Sequence, residues 1–90
     1  MNFGAEKVDL RDIRFTPEIL RSIPPATARM YSVIPIADAI EGVVIAAPYP
    51  FKLEAIDELR WIVGRNIEIR AADSDQLRTF IEKHYGADTV

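Results

Sequence analysis

The stretch that most restricts the fold is residues 43–70, "VVIAAPYPFKLEAIDELRWIVGRNIEIR". It opens on Val43–Ala47, an unbroken run of small and β-branched side chains, the pattern of a strand covered on both faces. Pro48 and Pro50 end the run. A helix from about Phe51 to Val63 follows, with Gly64 placed as its C′ residue. "NIEIRA" then alternates with period two, Ile67 and Ile69 to one side, Glu68 and Arg70 to the other, as in a strand with one buried face. A strand–helix–strand step of this kind favours a right-handed crossover. Leu53, Ala55, Ile56, Leu59, Ile62 and Val63 form the helix's apolar face. Trp61, the single tryptophan, does not join it; it lies about 200° around the axis from Leu59. A large apolar side chain on the back of a helix needs cover from another element or from a partner.

The flanking sequence completes a small domain. "KVDL" reads as a short extended piece. In "FTPEILRSIP", Thr16 is placed to cap a helix, Pro17 suits its first position and Glu18 favours its positive end. Pro24 and Pro25 stop that helix, and Pro25 starts a second, "PATARMY". "SVIPI" is a strand whose Pro35 points to an edge or an irregularity, and "ADAIEG" turns the chain into Val43–Ala47. After "NIEIRA", Asp73 and Gln76 have the spacing of a capping box for the helix "DSDQLRTFIEKHY", which carries Leu77, Phe80, Ile81, His84 and Tyr85 as its apolar stripe and closes at Gly86. The expectation is an α/β (α+β) fold: a small three-stranded mixed sheet made by a β-hairpin and a β-α-β crossover, packed by helices, with two short N-terminal helices. Strand order is left open. Residues 1–7 and 87–90 read as flexible ends around one domain at 8–86. Ile45, Ile56, Leu59, Ile67, Ile69, Leu77 and Ile81 are each on the inward phase of their element and are expected to form the core.

Ninety residues support a single core. The formal net charge of −3 and the scatter of arginines among acids argue against a nucleic-acid backbone binder, which needs a basic face. The absence of cysteine excludes disulfides and thiolate metal sites and fits a reducing compartment. No apolar run approaches the roughly 20 residues that span a bilayer, and the N-terminus lacks a signal-peptide core. The expected location is cytoplasmic, without direct membrane insertion.

No catalytic, cofactor or metal site emerges. Neither G-x-x-x-x-G-K-[ST] nor G-x-G-x-x-G occurs, so nothing cradles a nucleotide phosphate. His84 is the lone histidine and has no partner ligand type beside it; near a helix C-terminus a cation is favoured there. Glu54, Asp57 and Glu58 cluster on one helix, but paired carboxylates do acid–base work only where a cleft raises one pKa; Asp57 is within reach of Arg60, and a solvated face is the simpler reading. Tyr49 and Phe51 flank Pro50 at the end of the central strand, a common ligand position in open α/β sheets and an equally good place for packing.

Two segments carry a family resemblance. "FTPEILRSIPPATARMYSVIPI" has a short helix leading to Ile-Pro, a helix ending in an aromatic residue, and a strand ending apolar-Pro-apolar. "VVIAAPYPFKLEAIDELRWIVGRNIEIRAADSDQLRTFIEKHYG" continues with the strand, the link to proline, the helix, an apolar pair with glycine, a strand, a capped helix and a final tyrosine. The order over residues 8–86 is similar to the N-terminal domain of the type II secretion and type IV pilus assembly ATPases, the GspE/PilB-like group. The resemblance implies an accessory module, with the motor's Walker motifs in a separate domain. It implies docking on the cytoplasmic part of an inner-membrane platform protein, or on the parent ATPase domain, so that the chain is peripheral to the membrane through its partner. A subgroup binds cyclic di-GMP through R-L-G-x-x-L helical motifs; none occurs here, and Tyr49 stands where the family often has Asp, so cyclic di-GMP is possible but disfavoured. The same module also occurs fused to other envelope proteins, including glycosyltransferases. The family usually has a large apolar residue at the position of Trp61. Cover from the N-terminal helices, through Ile19, Leu20 and Ile23, or from a partner accounts for it. Trp61, Glu54, Asp57, Glu58, Arg65 and Tyr49 are the expected partner-contact residues. A small enzyme is the remotest reading.

Overall fold

The computed structural model describes residues 7–50 and 52–86, without the side chain of Ala39. The ends read as flexible lie outside the described residues, except Lys7, which pairs with the sheet. In chain order the elements are a 3-10 turn (Leu10–Asp12), α1 (Pro17–Leu20), α2 (Pro25–Tyr31), β1 (Ile34–Ala39), β2 (Gly42–Pro48), α3 (Leu53–Val63), β3 (Ile67–Ala72) and α4 (Ser74–Tyr85). The punctuation works as the residues predict. Thr16 accepts a hydrogen bond from the Ile19 amide, and Asp73 one from the Gln76 amide. Gly64 ends α3 in the left-handed region, at φ 74°. Helix α3 starts at Leu53, with Phe51 outside the described residues.

The sheet is mixed, in the order β1-β2-β3. Strands β1 and β2 are the antiparallel hairpin, with Ala39 opposite Gly42 and a register shift between Pro35 and Ala37. Pro35 therefore sits on an edge strand at an irregularity, where a missing N–H costs nothing. Strands β2 and β3 are parallel, with Val43 opposite Ile67 and Ile45 opposite Ile69. The turn into β3 comes so close to β2 that a Cβ on Gly42 would collide with the Asn66 carbonyl oxygen. That oxygen accepts from the Val43 amide at 2.9 Å, which is why Gly stands at the start of the central strand.

The core gathers Leu10, Ile23, Ile34, Ile45, Leu59 and Leu77, with Ile81 beside them. Ile56, Ile67 and Ile69, expected inside, are half-buried. The cause is position: β3 lies at the sheet margin and α3 does not close fully over it, so a groove stays open beneath the helix. A second departure concerns Gln76. Its side chain does not complete the capping box; it accepts from the Leu10 amide at 2.8 Å and donates to Asp9 Oδ1 at 3.0 Å. The N-terminal strap is further held by the Val8 amide on the Ala71 carbonyl at 2.8 Å, and by the Tyr85 hydroxyl donating to the Leu20 carbonyl at 2.7 Å. Phe15 closes the seam against the His84 ring, 4.5 Å between centroids, and against Phe80 at 5.9 Å.

Candidate functional site

Helix α3 uses a narrow stripe to hold itself to the body of the domain. Leu59 is its one buried side chain among the described residues, 2% exposed, with Ile56 and Val63 half-buried beside it. The wider apolar face expected from the sequence is not all inward. Leu53 is 78% exposed and Ile62 is also turned out. At about 100° per residue, Leu53 lies some 120° from Leu59 and falls on the far side of the helix.

Trp61 is 85% exposed. The N-terminal helices do not cover it: α1 packs on β1, α2 lies against α4, and Ile23 is buried in the core. Trp61 instead shares the outer face of α3 with Leu53, Glu54, Asp57 and Arg60. Asp57 and Arg60 pair at 3.6 Å along that face. Two of the expected contact residues are engaged internally. The Tyr31 hydroxyl donates to Glu58, which ties α3 to α2 and raises the Tyr31 pKa. Arg65 meets Asp38 at 2.8 Å and fastens the turn after α3 to the hairpin. Of the charged residues expected around Trp61, Glu54 and Asp57 share its face, and Arg60, which was not among those expected, stands beside them.

Tyr49 lies at the opposite end of the domain from Trp61, at the carboxyl end of β2, and is 66% exposed. The Tyr49–Pro50 peptide bond is cis. Beside it a groove of about 230 Å³ runs between α2, the end of the sheet and α3, lined by Tyr31, Ala47, Pro48, Pro50, Ile56 and Leu59. Met30 is exposed at its rim. The groove offers shape and apolar contact with Lys52 as its cation. Among the described residues no group of three His, Cys, Asp or Glu side chains converges as a metal site would, and no helix is long and apolar enough to cross a membrane.

His84 behaves differently from the expectation of a favoured cation. Burial against Phe15 and Phe80 lowers its pKa, and Lys83 adds to the shift, so desolvation outweighs the helix C-terminus. Asp9 is held well below the usual carboxylate range by hydrogen bonds from the Arg11 side chain and amide, with a smaller one from Gln76. Sequence reading missed Leu53 as a surface residue; its spacing of i−4 from Asp57 and i−8 from Trp61 is the signal that would have found it.

A family model of the MshEN domain matches residues 3–90. The type IV pilus assembly ATPase PilB of Myxococcus xanthus (strain DK1622) is 29% identical over 83 residues, covering 92% of this chain and 15% of that protein. Among solved structures, MshE with cdg superposes with a TM-score of 0.79 at 21% identity, covering 89% of this chain and 58% of that one. The N-terminal domain of XpsE superposes with a TM-score of 0.74 at 17% identity, covering 89% and 57%. The chain thus spans a small part of the pilus ATPase and somewhat over half of the two solved chains. With the three-stranded mixed sheet and the helical order both in place, the chain belongs to the MshEN domain family, the N-terminal domains of type II secretion and type IV pilus ATPases.

Proposed function

We propose that this domain is a non-catalytic interaction and regulatory module of a secretion or pilus-assembly ATPase, working at the cytoplasmic face of the inner membrane, where it docks on the cytoplasmic part of a platform protein. The observation that carries this reading is the large apolar surface left uncovered on a domain this small: Trp61 and Leu53 on α3, and Tyr49 and Met30 beside the groove. Exposed apolar side chains with a polar surround mark contact sites on soluble domains. Glu54 and Asp57 belong to that contact surface; Glu58 and Arg65 support it from behind. The test is calorimetric titration with the platform protein's cytoplasmic domain, comparing Tyr49→Ala and Trp61→Ala with the parent. Loss of at least about tenfold in affinity in one of them is expected, as for an aromatic anchor. No binding by the parent domain, or equal binding by all three, refutes the docking.

The fold shared with MshE, solved with cdg, favours a second reading, a cyclic di-GMP sensor. Against it stand the absence of R-L-G-x-x-L in the sequence and Tyr49 in place of Asp. The expected result is weak or no binding; a Kd at or below about 1 μM, roughly −8 kcal/mol, would move the assignment to the nucleotide.

A further inference from the structure

We propose that the groove beneath α3 is a socket for one phenylalanine-sized side chain of the docking partner, with a carboxylate of the same polypeptide set against Lys52 at its mouth. That assignment rests on the docking reading above and gives the chemistry of the residue that anchors it.

Small side chains make the groove. Ala47 stands near the end of β2, and Ala55 one turn before Leu59 on α3; neither fills the space between helix and sheet. Ile56 and Ile69 are left half-buried along it, and its floor reaches Leu59 in the core. Covering this surface is favourable in proportion to the apolar area taken from water. Met30, exposed at the rim, has the unbranched side chain that moulds to a guest.

Volume decides the size of the occupant. An apolar cavity of about 150 Å³ accommodates benzene, and sites for drug-sized ligands start at about 300 Å³. At about 230 Å³ the groove lies between. It has room for one ring and the carbon that joins it to a backbone, but not for the two bases and sugars of a dinucleotide. The wall decides polarity. The Tyr31 hydroxyl already donates to Glu58, and the remaining lining side chains are apolar apart from Lys52. Such a wall suits an unsubstituted ring better than tyrosine or tryptophan, whose O–H or N–H needs a partner when buried.

Charge sets the neighbour of that ring. Lys52 is the one charged residue lining the groove; it is exposed and stands outside every ion pair found among the described residues. It is also the N-cap of α3, whose first amides no side chain caps, so the positive end of the helix adds to its charge. Glu54 of that first turn stands on the outer face. A partner carboxylate next to the ring, from an adjoining Asp or Glu or from a chain terminus, completes the match.

The probe is 3-phenylpropionate, which carries the ring, its linking carbon and a carboxylate; 3-phenylpropanamide is the uncharged control. Each is titrated into the 90-residue chain and followed through the methyl NMR signals of Ala47, Ala55 and Ile69. The expected Kd for a molecule this small is on the order of 1 mM, with the amide about threefold weaker. Lys52→Glu should erase that preference and leave the amide's affinity as it is. Ala55→Leu fills the groove from the α3 side; it should hold or raise the melting temperature and abolish binding of both probes. The same variant should weaken binding of the platform protein's cytoplasmic domain at least about tenfold. Circular dichroism checks that both variants are folded. Unshifted methyl signals at about 10 mM probe, or a folded Ala55→Leu that binds as the parent does, overturns the socket. An unchanged carboxylate preference in Lys52→Glu overturns the charge pairing, and displacement of phenylpropionate by micromolar cyclic di-GMP gives the groove to the nucleotide instead. Probe binding by the parent combined with unaltered platform binding by Ala55→Leu overturns the partner named here while leaving the α3 face as its contact. A parent chain that binds no platform fragment refutes the docking reading itself, and the probe series still decides whether the groove takes a ring and a carboxylate.

Discussion

Leu59→Ala tests how α3 is held. Leu59 is 2% exposed and is the side chain through which the helix reaches the core. The substitution removes three carbons from burial, which at about 0.8 kcal/mol each costs roughly 2.4 kcal/mol in transfer free energy. In a sealed core, a cavity term raises Leu→Ala losses towards 5 kcal/mol. Here that term is small, because Leu59 lines the groove of about 230 Å³ and the vacated space opens into it. The expected loss is therefore about 2–3 kcal/mol. Leu77 supplies the comparison. It is fully buried on α4 and does not line that groove, so Leu77→Ala should cost about 3–5 kcal/mol. Urea melts followed by far-ultraviolet circular dichroism measure both, with the slope of the transition checked for constancy. A Leu59→Ala loss below about 1 kcal/mol would mean the helix is phased differently from the description above. A loss equal to that of Leu77→Ala would mean the groove does not relieve the cavity.

Two further outcomes follow from the geometry. Gly42→Ala drives a methyl group into the Asn66 carbonyl, which is already bonded to the Val43 amide, so it should cost about 1–3 kcal/mol by the same melts. Lowering the pH should loosen the seam between the strap and α4: the folded His84 pKa is depressed, so its contribution is complete above the unfolded value near 6.5 and is lost as pH falls through the lower folded value. His84→Gln should flatten that slope between about pH 7 and 5, and an unchanged slope would place the titration elsewhere.

Much of this architecture is legible in local chemistry. Thr16, Pro17, Asp73 and Gly64 punctuate helices through side-chain caps and backbone freedom that depend on near neighbours alone, and each behaves as its residue type dictates. The unbroken apolar run of β2 likewise announces a central strand, and Pro35 announces an edge. What the sequence leaves unread depends on what another element covers. Leu53 fits an apolar arc on paper, yet α3 has only a narrow seat and turns it out. Ile67 and Ile69 alternate correctly but lie on the marginal strand, Ile69 in the groove that α3 leaves open and Ile67 in a shallow depression beside the hairpin turn. Gln76 has capping-box spacing, and its amide is drawn instead to a backbone amide 66 residues away. Of the contact residues, Glu54, Asp57 and Trp61 are found on one face, whereas Glu58 and Arg65 are claimed by Tyr31 and Asp38, partners distant in sequence. The family likeness supplies the biological setting, which periodicity alone does not reach.

The tethers of the strap have a consequence for the way the chain is made. Val8, Leu10 and Leu20 are held by Ala71, Gln76 and Tyr85, all from the last quarter of the sequence. A chain leaves the ribosome N-terminus first. Residues 7–15 therefore emerge more than 50 residues before the anchors that hold them are translated. Leu10 and Phe15 stay uncovered throughout that interval, and the strap docks only when α4 is free of the exit tunnel. Connections this long in sequence slow the final closure relative to the local helices. They also leave the strap within reach of a chaperone throughout that interval.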